Sequence, residues 1–436
     1  MRSTLLASRR TVEFVGVNLK RCHGQRSQSE YMTREFASKS GASSQGSGLL
    51  RLGGWVVSAA GAATAAAVGL AAVGYDLRAT QFYSTLADRV GTPLLCVLDA
   101  EDAHNLALQL LAMGLAPVDD TERPRLHTTV LGLPFRSPLG LAAGFDKQAR
   151  VLLPFFGLGF GYVEVGGITP LPQPGNPKPR VFRLPEDQAI INRFGLNSEG
   201  AAAVAERLQA AGSKVPPGCV VGANLASNTV NVSNPAACAA DCVSLVAQIG
   251  PWVDVLVLNV SCPNVGRASP AHGNDAERQA REQEMDSLVE AVVCARNALP
   301  AQDHKEGASG ATPSRRPALL LKVSPDLDAA GRAHVASLWY RELICYFCSE
   351  LFLYTSRGTF ISPTHSFRPP NSNTFCFSRK NGAVGSVDGL VVANTTALRP
   401  ESLQSAGEVV GEKGGLSGAP LKDTSTALLR DLYRYS

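Results

Sequence analysis

Six short apolar runs punctuate the chain: Leu139–Phe145, Tyr162–Ile168, Cys219–Leu225, Val253–Val260, Ala318–Val323 and Val387–Asn394. Each is apolar at successive positions, not alternate ones. That is the pattern of a strand covered on both faces, and such strands belong to parallel sheets flanked by helices. Stretches of helical or loop character separate the runs, which predicts a β–α alternation. Polar residues gather at the C-terminal ends of five of them: Asp146 and Lys147, Asn224, Asn259, Lys322 and Asn394. A doubly wound sheet collects its ligand at one switch point, whereas a (β/α)8 barrel draws site residues from the ends of many strands. Five polar ends therefore predict the barrel. The glycine-rich run from Gly157 to Gly161 precedes a strand instead of following one, so it lacks the context of a dinucleotide fingerprint.

Charge is unevenly placed. Residues 1–50 carry eight Lys/Arg and three Asp/Glu among twelve Ser/Thr, the composition of an organellar presequence. The whole chain carries +4, so the remainder holds −1 and offers no basic face for nucleic acid. Ten cysteines without framework spacing exclude a disulfide-stapled scaffold. Residues 52–75 contain no charged side chain, with Trp55 and Tyr75 near the ends and Arg51 and Arg78 outside. A helix of the twenty residues from Trp55 to Gly74 would cover about 30 Å, one hydrocarbon thickness, which predicts a single transmembrane helix in contact with the lipid bilayer. Across 80–116, Phe82, Leu86 and Val90 recur at helical spacing, and Leu106, Leu110 and Met113 follow His104. This predicts an amphipathic helical pair that lies on the bilayer or packs on the main domain.

Chemistry concentrates in a few segments. AAGFDK (Ala142–Lys147) combines small residues, which let a planar ring approach the backbone, with an ammonium. Pro174–Gly200 reads as a long Pro-, Arg- and Asn-rich functional loop. Asn224 lies in GANLASN, Asn259, Cys262 and Asn264 in NVSCPN, Lys322 in LLLKVSPDL, and Asn394 and Thr395 in VVANTT. Carboxamides offer both donors and acceptors to a planar amide-and-carbonyl ligand. The two lysines would stabilise developing negative charge. Cys262 is a base or nucleophile if its thiol is activated, and a buried structural thiol otherwise.

Taken together, AAGFDK, GNPKPRVFRLPEDQAIINRFGLNS, NVSCPN, LKVSPDL, ANTT and GGLSGAPL resemble the dihydroorotate dehydrogenases, specifically their membrane-bound, quinone-linked class, from about Phe82 to Thr424. The resemblance implies FMN at the mouth of a TIM-type barrel over 125–436, dihydroorotate stacked on it and oxidised to orotate, and reoxidation by ubiquinone. A base removes the C5 proton while hydride leaves C6 for flavin N5; Cys262 stands at the base position, where that class usually has Ser. Carried over by motif, Lys147, Asn192, Arg193, Phe194, Gly195, Leu196, Asn259, Asn264, Asn394 and Thr395 would hold the substrate. Ala143, Gly144, Gly167, Asn224, Asn259, Lys322 and Gly418 would hold FMN, and His104 and Arg183 would line the quinone tunnel. The implied location is the mitochondrial inner membrane, with one N-terminal anchor and no metal.

Two stretches depart from the family pattern. Residues 301–316 form a Gly/Ser/Pro-rich insert. A second, from about 335 to 386, contains ten of the chain's twenty-eight aromatics between Trp339 and Phe377. Only six strand runs precede Ser436, so the expected barrel lacks its last two strands and binds FMN poorly or folds incompletely. Two other readings remain: a non-catalytic membrane-anchored remnant, and a barrel lyase using Lys322 or Lys147 as a Schiff base.

Overall fold

The computed structural model of the chain describes residues 81–119, 121–260, 275–301, 315–339, 344–345 and 387–435. The expected presequence (1–50), the membrane segment (52–75), most of both inserts, Cys262 and Asn264 lie outside them. Among the described residues, no helix is long and apolar enough to cross a membrane. They divide into two compact units: residues up to Thr121 with Gly157–Gly159, and the rest.

In the first unit, α1 (Gln81–Leu86) runs through a π-helical turn (Ala87–Gly91) into α2 (Thr92–Val97). Asp99 then caps α3 (Ala100–Ala112), its Oδ1 accepting from the backbone N–H groups of Glu101 (2.8 Å) and Asp102 (3.3 Å). Phe82, Leu86 and Val90 recur at helical spacing, and all three are exposed.

The second unit is built on a parallel sheet. In chain order its elements begin with a hairpin, β1 (Thr128–Val130) and β2 (Leu133–Phe135), followed by β3 (Gly140–Leu141) and α4 (Leu152–Gly157). Then come β4 (Tyr162–Ile168), β5 (Val181–Leu184), β6 (Ala189–Asn192), α5 (Ala201–Gly212), β7 (Val220–Leu225), α6 (Pro235–Ile249) and β8 (Val255–Asn259). The remainder is α7 (Asp275–Ala298), β9 (Ala318–Val323), α8 (Ala329–Leu338), β10 (Ile344–Cys345), β11 (Gly389–Val392), α9 (Gly407–Val410), β12 (Gly415–Gly418) and α10 (Lys422–Tyr435).

The six expected strands pair in sequence order, β3-β4-β7-β8-β9-β11, all parallel, as in a TIM-like barrel. Helices between strands bury one face each. In α6 the buried residues Cys238, Cys242, Leu245, Val246 and Ile249 follow the 3.6-residue period, and Asn234 caps the helix through Ala237 N (3.1 Å). The inward face of the sheet stacks Tyr162, Val220, Val255, Val257, Ala318, Leu320 and Val391 over Leu133 and Phe135 of the hairpin, in one buried cluster. The hairpin thus packs against the starts of the strands, remote from their C-termini.

Gly222 belongs to that inward row. A Cβ there would stand 2.0 Å from Tyr162 Oη and 2.5 Å from its Cζ. Tyr162 is 1% exposed and has nowhere to retreat. Gly222→Ala is therefore expected to cost about 1–3 kcal/mol by overpacking, read as a lower urea midpoint at unchanged slope.

Three features differ from the sequence reading. The Pro174–Gly200 segment contains the antiparallel β5–β6 pair, and β12 adds to it as a separate three-stranded sheet. Leu184, Ala189, Ile191 and Leu416 give that sheet its own buried core. The first residues of the second insert, from about 335, still belong to α8, which runs to Leu338 with Val335, Ala336 and Leu338 buried. Within that insert, Ile344–Cys345 forms β10, a two-residue parallel strand on the outer edge of β11.

Candidate active site

The inward residues at the C-terminal ends of the strands form a chain of hydrogen bonds across the barrel mouth. Asn394 Nδ2 donates to Asn259 Oδ1 (3.3 Å), Asn259 Nδ2 to Asn224 Oδ1 (3.1 Å), and Asn224 Nδ2 to Glu164 Oε1 (2.7 Å). At the far end, Asn394 Oδ1 accepts from Thr395 N (2.9 Å). Lys322 Nζ lies 3.9 Å from Glu164 Oε1, with both side chains almost wholly buried. Four strands span the step from β9 to β4 in the sheet order. At about 4.8 Å per strand interval a flat sheet would hold those two backbones some 14 Å apart, so the sheet curls and its side chains converge over a concave face.

Glu164 was not singled out by the sequence reading. Its signal was available: one acid inside the run YVEVGGI, flanked by residues destined for burial. A charge there needs a partner, and Asn224 and Lys322 supply it. Glu164 Oε2 has no hydrogen-bond partner among the described residues.

A second group surrounds Lys147. Its ammonium sits 3.6 Å from the centroid of the Phe194 ring and donates to Asn197 Oδ1. Arg180 lies over the same ring at 5.2 Å and is fixed by the carbonyls of Pro174 and Asn176, both at 2.9 Å. Asn197, inside the expected functional loop and one residue past the expected substrate residues Asn192–Leu196, joins this group. The loop carrying Phe194 is held in an uncommon shape: Gly195 has φ +69°, and Leu196, which is not glycine, has φ +56°. Gln173 Nε2 supports it by donating to the Leu196 carbonyl (2.8 Å). The two groups adjoin, since a Cβ at Gly167 would meet Leu196 Cδ2 at 3.2 Å and Asn224 Oδ1 at 3.4 Å.

The other expected residues are placed as follows. Ala143 and Gly144 follow β3, and Asp146 fixes the turn by accepting from Arg150 N and Val151 N, both at 2.8 Å. Burial pushes the Asp146 carboxyl above the usual carboxylate value, against the pull of those two N–H groups. Asn192 ends β6, opposite Gly415 of β12. Arg193 is engaged elsewhere, bonded to Glu412 (2.6 Å) and the Lys413 carbonyl (3.0 Å) with its guanidinium over Phe182. Gly418 ends β12 at φ +113°. Arg183 lies on β5, and His104 lies on α3 in the other unit.

Among the described thiols, Cys219 is buried at the foot of β7, and burial pushes it up to about 11 despite the opposing charge of Arg136. Near pH 8 roughly one Cys219 in a thousand is then thiolate, the reactive form. Iodoacetamide at that pH is expected to label the exposed Cys294 and spare Cys219 until the protein is denatured, as peptide mass mapping will show.

Amide donors and acceptors, a buried ammonium and glycine-smoothed walls suit a flat, heteroatom-rich ring. Open space faces Gly144, where a Cβ would have no neighbour within 4 Å. The orphaned Glu164 Oε2 marks a polar interior that an apolar ligand would not satisfy. These residues fit a flavin ring, and the fold and site together define a TIM-like α/β-barrel enzyme working at the C-terminal mouth of its strands.

Comparison with known proteins agrees. The family model for dihydroorotate dehydrogenase matches residues 125–344. A mouse protein named dihydroorotate dehydrogenase (quinone), mitochondrial, is 37% identical over 342 residues, covering 77% of this chain and 69% of its own length. A dihydroorotate dehydrogenase (quinone) of Azorhizobium caulinodans is 39% identical, covering 78% of this chain and 77% of its own. The crystal structure of DHODH from Eimeria tenella in complex with ferulenol superposes with a TM-score of 0.59 at 34% identity, covering 77% of each chain. The chain belongs to the dihydroorotate dehydrogenase family.

Proposed function

We propose that this chain oxidises dihydroorotate to orotate and passes the electrons through FMN to ubiquinone, at the mitochondrial inner membrane, anchored by residues 52–75. The observation that carries this reading is the meeting of two groups at one mouth: the Glu164–Asn224–Asn259–Asn394 chain with Lys322, and Lys147 over Phe194 beside Asn197. The first group suits the amide and carbonyl edge of a flavin. The second offers a cation to a ring acid's carboxylate, a charge-assisted bond that a neutral analogue would lack. The flavin, when bound, supplies hydride acceptance. The protein's own residues hold the two rings in register, exclude water and, at Cys262, take the C5 proton. The quinone in the names of the relatives supports ubiquinone as the acceptor. The exposed apolar residues of α1 and α2, among them Phe82, Leu94 and Val97, suit a lipid-facing entrance framed by His104.

The test is dihydroorotate-dependent reduction of a short-chain ubiquinone by the full chain in detergent, with bound flavin released by denaturation and identified. On this reading yellow protein whose colour bleaches on addition of dihydroorotate is expected, whereas the weak flavin binding expected from six strand runs alone would leave it colourless. Protein that carries no flavin, or whose flavin does not respond to dihydroorotate, would overturn the reading.

A further inference from the structure

Glu164 is wholly buried on a strand whose other long side chains are apolar. Burying a carboxylate is costly unless it is compensated, and an apolar residue would avoid that cost. Its position explains what it does. A carboxylate only accepts, so Asn224 must turn its NH2 toward Glu164 and leave its oxygen for Asn259. Asn259 in turn offers its oxygen to Asn394, whose own oxygen takes the Thr395 N–H. An acceptor-only group at one end and a donor-only group at the other give all three amides the same direction. The three amides thus point the same way along the mouth.

The same carboxylate oxygen faces Lys322 at 3.9 Å. We propose that Glu164 is a positioning residue of the flavin site, aligning the amides through Asn224 and acting as the counter-charge that moderates the field of Lys322 on the ring. This rests on the flavin reading above. A charge held close to a flavin tunes how strongly the protein prefers its oxidised or reduced form. A negative charge disfavours the electron-rich reduced form, so its removal raises the midpoint potential.

The test compares bound-flavin potentials of the full-length wild type, Glu164→Gln and Glu164→Asp near neutral pH. Gln keeps an acceptor for Asn224 and removes only the charge. It is expected to shift the preference at least tenfold toward reduced flavin, about 30 mV for a two-electron couple. Asp keeps the charge, and its ratio is expected to stay within about twofold of wild type. Should Glu164→Gln not fold, the Asp variant decides: a ratio within that limit supports the proposal and a larger change overturns it. A Gln variant with altered thermal stability but wild-type potential would make Glu164 merely structural. If the wild type carries no flavin, the functional reading fails first; if it does and the Gln potential is unmoved, this inference alone fails.

Discussion

Replacing Cys262 by Ala is expected to lower kcat for dihydroorotate oxidation by about 10²–10⁴-fold, the usual contribution of a positioned general base, with flavin still bound. The residue stands three positions beyond Asn259, whose carboxamide is tied to Asn224 on one side and Asn394 on the other. The strand end that leads into NVSCPN is thus anchored from both flanks. A thiol ionises near pH 8.5 in its ordinary state, far below an alkyl hydroxyl. If the thiolate is the base, the rate of flavin reduction rises about tenfold per pH unit below the thiol's pKa and levels above it. Cys262→Ser then loses that limb, because Ser does not ionise in the accessible range. Stopped-flow bleaching of the flavin across pH decides: superimposable profiles for wild type and Ser variant would remove Cys262 from the proton-transfer step.

Lys322→Met should destabilise the fold by about 3–5 kcal/mol, the cost of stranding one member of a buried ion pair. Glu164 is 0% exposed and Lys322 4%, so water screens neither. Against a typical stability of about 5–15 kcal/mol, that loss would appear as a large drop in the denaturation midpoint, together with loss of flavin. The double variant Lys322→Met/Glu164→Leu leaves no charge stranded and should recover more than half of the deficit. A double-mutant cycle measures that coupling directly; additive losses would mean that the two side chains do not act as a pair.

Much of this architecture was legible because parallel strands buried on both faces tolerate few polar residues. Asn224, Asn259, Lys322 and Asn394 stood out at the ends of apolar runs, and each contributes to one mouth. Glu164 escaped notice because it lies in the middle of its strand, where the eye reads the apolar neighbours as a single run. The β5–β6 pair was hidden by its surroundings: VFRL and AIIN sit among prolines, arginines and asparagines that read as loop. β12 has two glycines in four residues and no β-branched side chain, so only its backbone pairing with β6 reveals it as a strand. Asn197 lay inside the expected functional loop, but its partnership with Lys147, 50 residues earlier, shows only in the geometry.

The β1–β2 hairpin has a consequence for turnover. Leu133 and Phe135 fill the foot of the curled sheet with side chains, so the concave face opens at the strand C-termini and not beneath them. A product formed at that mouth would leave from the same side as its precursor arrives. On the proposed function, orotate is then expected to compete with dihydroorotate, read as a rise in KM at unchanged kcat when orotate is added.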